Sequence, residues 1–112
     1  MSRLTTHILD TTRGKPAAGV TTILFQRHDD QWVEIARRVT NSDGRIPDLL
    51  RKDTSLKPGT YKMHFDTKAY FDQQDVATFY PYVEIVFDIT SAEHYHIPLL
   101  LSPFGYSTYR GS

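Results

Sequence analysis

Two of the five histidines stand two residues apart in His94-Tyr95-His96. Imidazole gains and loses a proton near neutral pH, so a pair of them offers acid–base chemistry. Joined by His7, the same pair would supply three nitrogens, the protein half of an open zinc site. Arg45 directly follows the turn sequence Asn41-Ser42-Asp43-Gly44 and contributes a permanent cation with a planar donor fork. The chain closes on Tyr109-Arg110-Gly111-Ser112: a phenol, a cation, a residue without a side chain, and a hydroxyl beside a terminal carboxylate. Chain ends usually fray, so such groups do chemistry only if the tail is pinned.

The elements that must position these groups read as short strands punctuated by turns. Thr5 to Leu9 is the first strand, followed by the loop Asp10 to Pro16. Val20 to Arg27 and Trp32 to Thr40 form a hairpin across His28 to Gln31. Asp48 to Lys52 is expected as a short edge strand. Tyr61, Met63 and Phe65 share one strand face, opposite Lys62, His64 and Asp66. The one helix is placed at Asp72 to Tyr80, capped by Asp72 and stopped by Pro81. Val83, Ile85, Phe87 and Ile89 alternate in a further strand, and 94–101 and 105–109 supply the last two. About eight strands and one short helix in 112 residues give an all-β fold, a two-sheet antiparallel β-sandwich forming a single domain over 1–112.

Period two divides the histidine strand into two faces. Tyr95, Ile97, Leu99 and Leu101 make the core face. His94, His96, Pro98 and Leu100 lie opposite, a mixture suited to an interface or a pocket wall. Thr5, His7 and Leu9 present a similar mixed face. Two surface histidines with incidental apolar neighbours would give the same pattern. His28 in a turn and His64 on a polar face read as bystanders, and Asp10, Asp43 and Glu93 as turn or surface carboxylates.

The 13 basic and 13 acidic residues balance, which gives no electrostatic argument for nucleic acid or an anionic membrane. The absence of cysteine excludes disulfides and thiolate metal sites. No apolar run approaches the ~20 residues that span a bilayer. The opening residues have no signal-peptide core, so a cytoplasmic location is expected. There is no Gly-rich phosphate loop and no Gly-x-Ser-x-Gly elbow.

Three segments resemble the transthyretin-related family, in its hydroxyisourate hydrolase branch: His7 to Ala18, Thr40 to Arg45, and the long run His94 to Ser112. Phe79-Tyr80-Pro81 is similar to the family's aromatic-aromatic-Pro exit. The resemblance covers essentially the whole chain. It implies a two-sheet sandwich assembled as a homotetramer, a dimer of dimers, with the mixed strand faces lining a channel. Transthyretin itself carries thyroid hormone and lacks the histidine pair and the Tyr-Arg-Gly-Ser ending, both present here. The resemblance therefore implies ring opening of 5-hydroxyisourate to 2-oxo-4-hydroxy-4-carboxy-5-ureidoimidazoline in urate degradation, with no cofactor and no metal.

On that reading His7 and His96 supply the general base, in an order left open, and Arg45 steadies the anionic ring and its oxyanion. Tyr109 forms the floor of the pocket against the substrate. Arg110 and Ser112 complete the polar network, Ser112 through its hydroxyl, its carboxylate or both. Gly111 lets the backbone approach closely. His94 is assigned equally to a supporting or a surface role. The competing readings are a non-enzymatic carrier of small aromatic ligands in the same channel, a bare interaction sandwich, and three-histidine zinc catalysis.

Overall fold

The computed structural model describes residues 3–51 and 54–112. Its strands are β1 (Leu4–Asp10), β2 (Lys15–Pro16), β3 (Thr21–His28), β4 (Gln31–Val39), β5 (Gly59–Phe65), β6 (Val83–Ile89), β7 (Tyr95–Ser102) and β8 (Gly105–Thr108). One helix, α1 (Thr67–Asp72), lies between β5 and β6. The strands form two four-stranded sheets, ordered β2-β1-β7-β8 and β4-β3-β5-β6. The two-sheet all-β sandwich read from the sequence is observed, but it is not wholly antiparallel: β1 pairs with β7 in parallel.

Alternation explains how the sheets meet. In β1, Leu4, Thr6, Ile8 and Asp10 are buried while Thr5, His7 and Leu9 are half-exposed. In β7, Tyr95, Ile97, Leu99 and Leu101 point inward. Tyr61, Met63 and Phe65 of β5 do the same from the other sheet. These side chains join Leu24, Val83, Ile89 and Phe71 in one core cluster, where each large side chain removed from water is worth roughly 1.5–3 kcal/mol. The opposite faces of β1, β5 and β7 are thereby turned outward.

The site depends on one pairing in particular. β1 and β7 run parallel, with Thr5 beside His96, His7 beside Pro98 and Leu9 beside Leu100. Parallel neighbours require a long crossover connection, and here the whole second sheet lies between them. Neighbouring residues in register share a face, so the two mixed faces read from the sequence merge into one outer surface.

The structure corrects three local expectations. The helix spans Thr67–Asp72 rather than 72–80, so Asp72 ends it instead of capping it. Tyr70 and Phe71, which the helix buries, anchor it to the core, whereas Asp75 adopts φ +57° and breaks any continuation. Residues 48–51 form turns and bends rather than an edge strand, because Leu49 and Leu50 fold inward; Lys52 lies outside the described residues. Lys15–Pro16, within the expected loop, pairs with the end of β1 as the short strand β2.

Candidate active site

Arg45 is delivered by a turn that the sequence dictates. Asn41 Oδ1 accepts the backbone N–H of Asp43 at 2.9 Å and of Arg45 at 3.1 Å, and the Gly44 N–H donates to the Asn41 carbonyl at 2.9 Å. Gly44 has φ +70°, a conformation open to glycine, and a Cβ there would lie 3.1 Å from both the Ala17 nitrogen and the Pro16 side chain. The Gly44 carbonyl accepts the Ile8 N–H at 2.8 Å, and His7 and Arg45 form an antiparallel bridge. The turn thus docks on β1 and sets the guanidinium beside the His7 imidazole.

His96 is held from two sides. The Thr5 hydroxyl lies 2.8 Å from His96 Nδ1 and 3.1 Å from His94 Nε2. The His94 and His96 rings are stacked with centroids 6.5 Å apart. From the other side, the Gly111 N–H donates to the His96 carbonyl at 2.8 Å. A Cβ on Gly111 would stand 2.5 Å from His96 Cδ2 and 3.2 Å from Pro98 Cγ. The close backbone approach expected of Gly111 is therefore made against the imidazole itself.

Pro98 explains the path of the tail. β7 and β8 pair antiparallel with Leu99 opposite Thr108, and the bridge of His96 to Gly111 keeps the same register. Pro98 falls opposite Tyr109 in that register and has no N–H to give the ladder. The Thr108 hydroxyl donates to the Pro98 carbonyl at 2.7 Å instead. Tyr109 and Arg110 leave the ladder, which closes again at Gly111.

A cavity of about 260 Å³ opens on this face, lined by Thr5, Thr6, Arg45, Ile46, Pro47, His94, His96 and Ser112. Both imidazoles have pKa values below the ordinary 6.5. For His7 the main cause is burial, then the Arg45 charge, against a hydrogen bond to the Asp43 carbonyl. For His96 it is burial, then the charges of Arg45, His94 and His7. Both rings are thus mainly neutral at pH 7, the state in which a nitrogen lone pair can take a proton.

Of the expected site residues, Arg45, His96 and Ser112 line this cavity; His7 lies on the same sheet face, bridged to Arg45, but does not line it. Tyr109 and Arg110 do not reach it within one protomer. They line a separate, mainly apolar cavity of about 260 Å³ with Ile85, Phe87, Tyr95 and Ile97, and Tyr109 is 60% exposed. The Arg110 guanidinium pairs with Glu93 and lies 4.5 Å from the centroid of the Tyr95 ring. The Tyr95 oxygen receives contacts from the hydroxyls and backbone N–H groups of Ser91 and Thr90, which bring its pKa down to about 8. Among the described residues, no group of three or more His, Asp or Glu side chains is placed to hold a metal ion.

Sequence reasoning missed Thr5 as a member of the site. Its period-two relation to His7 was visible, but its contact with His96 requires the parallel register. Asp10 is the turn carboxylate expected, but a buried one: it accepts the Tyr70 hydroxyl at 2.8 Å and caps the following turn through the Thr12 and Arg13 N–H groups. His64 pairs with Glu84 at 2.9 Å and stacks on Tyr82, away from the cavity. No helix among the described residues is long and apolar enough to cross a membrane.

Known proteins share this fold and much of this sequence. The HIUase/Transthyretin family model matches residues 4–111. A mouse (Mus musculus) protein named 5-hydroxyisourate hydrolase is 50% identical over 114 residues, covering 99% of this chain and 96% of its own. Among solved structures, the 5-hydroxyisourate hydrolase of Klebsiella pneumoniae superposes with a TM-score of 0.86 at 38% identity, over 97% of this chain and 98% of that one. Sea bream transthyretin in complex with thyroxine gives 0.91, also at 38% identity, over 97% and 94%. With sandwich and sequence in agreement over nearly its full length, the chain belongs to the HIUase/Transthyretin family.

Proposed function

We propose that this chain is a 5-hydroxyisourate hydrolase, a cofactor-independent cyclic amide hydrolase of urate degradation that releases 2-oxo-4-hydroxy-4-carboxy-5-ureidoimidazoline. The observation that carries this reading is two imidazoles with lowered pKa values on the same sheet face as a fixed guanidinium. One imidazole can serve as base and then acid, the other can hold the substrate, and the guanidinium meets the oxyanion. A neutral imidazole takes a proton from water as its oxygen attacks the ring carbonyl. Arg45 donates to the oxyanion that forms, a contribution worth roughly 100- to 1,000-fold in turnover at comparable sites. The imidazolium returns the proton to the departing ring nitrogen, the carbon–nitrogen bond breaks, and a carboxylate remains. Ser112, at the rim of the cavity, completes the polar wall around the substrate.

Assembly belongs to the same reading. One protomer's cavity is smaller than the ~300–1,000 Å³ usual for ligand sites, which supports a site completed across a homotetramer, a dimer of dimers. Exposed Tyr109, Tyr106 and Phe104 near the outer strand β8 suit burial between copies. Tyr109 and Arg110 then contribute to a substrate site through a neighbouring copy, as floor and polar neighbour. A single domain over 1–112 acting in the cytoplasm fits this picture.

The second reading, a non-enzymatic carrier, is favoured by the likeness to the thyroxine-bound transthyretin. One experiment separates the two. Purified protein is added to freshly generated 5-hydroxyisourate and the decay of absorbance is followed. Wild type should accelerate it, while His7→Ala, Arg45→Ala and His96→Ala should lose the acceleration and keep the circular dichroism spectrum. Decay at the uncatalysed rate, with saturable thyroxine binding indifferent to His96→Ala, would replace the enzyme with the carrier.

A further inference from the structure

The Thr5 hydroxyl stands between two imidazoles, 2.8 Å from His96 Nδ1 and 3.1 Å from His94 Nε2. The parallel register of β1 and β7 puts it there, with Thr5 directly beside His96. A hydroxyl has one proton, so it donates in one of these contacts and accepts in the other. Two arrangements satisfy this: His96 Nδ1–H donates to the hydroxyl, which donates to His94 Nε2, or the whole chain runs the other way. Only the first leaves His96 Nε2 without a hydrogen and so able to act as a base.

We propose that Thr5 is a positioning residue: with His94 as terminal acceptor, its hydroxyl holds His96 in the Nδ1–H tautomer and leaves Nε2 bare as the base. The catalytic meaning of this assignment rests on the hydrolase reading, whereas the tautomer belongs to the resting protein. The arrangement answers an electrostatic need. The groups facing His96 are Arg45 from the docked turn, His7 from β1 and His94 just before its own strand, and each opposes a positive charge on it. Ser112 of the tail lines the same cavity. On the Nδ1 side the acceptor is the Thr5 hydroxyl, backed by His94, and it steadies the imidazolium during turnover. Which of two neutral tautomers a histidine adopts is set by the partner of its other nitrogen.

The test uses the full chain labelled with ¹⁵N-histidine, in wild type, Thr5→Val, Thr5→Ser and His94→Ala. Nitrogen shifts should show His96 as Nδ1–H in wild type and Thr5→Ser, and as mixed tautomers in Thr5→Val, which keeps the side-chain shape. On 5-hydroxyisourate, Thr5→Val should lose about tenfold or more in kcat with KM nearly unchanged. Its acid limb should move to lower pH, because the imidazolium has lost an acceptor. Thr5→Ser should recover most of the rate, and His94→Ala should fall between. An Nε2–H tautomer in wild type, or a Thr5→Val protein with unaltered tautomer and rate, overturns the proposal. An inactive wild type that still shows Nδ1–H would sink the hydrolase reading and the catalytic role of Thr5 together, leaving only the tautomer assignment.

Discussion

Gly111 lies against the His96 imidazole so closely that a single added carbon would stand 2.5 Å from the ring. The same residue donates its N–H to the His96 carbonyl at 2.8 Å. The tail is therefore pinned to the residue whose ring it touches, and the ring orientation is set partly by backbone.

Gly111→Ala should rotate the imidazole or lift the tail. We expect turnover to fall by about tenfold or more, since small displacements of a reacting group are costly. The melting temperature should change little, because the contact is at the sheet surface. Gly105→Ala is the control: its Cβ would meet only Ser102 Oγ, at 3.8 Å, and it should keep full activity. Equal rates for the two variants would mean that the contact with His96 has no functional weight.

The His7 and His96 imidazoles are held below 6.5, chiefly by burial and then by Arg45. The rate should consequently be constant near pH 7 and fall as pH drops through the lowered values. Stability has the same sign. These groups bind protons more readily when unfolded, so the stability they confer is complete above about pH 6.5 and lost as pH falls through the folded pKa. Proton NMR titration of the two rings checks the direction. Arg45→Met should move both titrations upward, and an unmoved pair would show that the guanidinium is too distant or too screened to matter.

Gly44→Ala tests the turn that carries Arg45. The left-handed backbone at φ +70° costs a residue with a side chain about 1–2 kcal/mol, and crowding against Pro16 and Ala17 adds to it. A lower melting temperature should accompany a loss of kcat/KM, because the turn and the guanidinium move together. Loss of stability with unchanged kinetics would separate them.

Tyr70→Phe removes a buried hydrogen bond 2.8 Å long to Asp10 Oδ2. Burial and the Asp10 carboxylate push the phenol pKa up, so the group is a proton donor throughout the physiological range. Asp10 keeps its contacts to the Thr12 and Arg13 N–H groups. A cost of about 1–2 kcal/mol in chemical denaturation is expected, with hydrolysis nearly unaffected.

Much of this site was legible in the chain. The period-two faces of 5–9 and 94–101 placed His7 and His96 off the core, and the Asn-Ser-Asp-Gly turn presented Arg45. What alternation cannot tell is which strands become neighbours. Thr5 entered the site only through a parallel register spanning 91 residues of sequence separation, and Pro98 diverted Tyr109 and Arg110 only because it falls opposite Tyr109. The helix was misplaced for a related reason. Asp72 and Asp75 carry capping chemistry, but the burial of Tyr70 and Phe71 against the core decided where the helix sits. The expected strand at 48–52 failed likewise, as Leu49 and Leu50 were drawn into the core.

The parallel contact of β1 with β7 also fixes when the site can exist. The sheet β4-β3-β5-β6 is joined by antiparallel neighbours, whose chain ends meet at modest entropic cost. β1 must wait for β7, across nearly the whole polypeptide, before Thr5 can meet His96. Activity is therefore expected to be among the last properties regained on refolding, after secondary structure and most burial have returned. In a cell, the same geometry keeps this face of the sheet unformed on a nascent chain until β7 has left the ribosome.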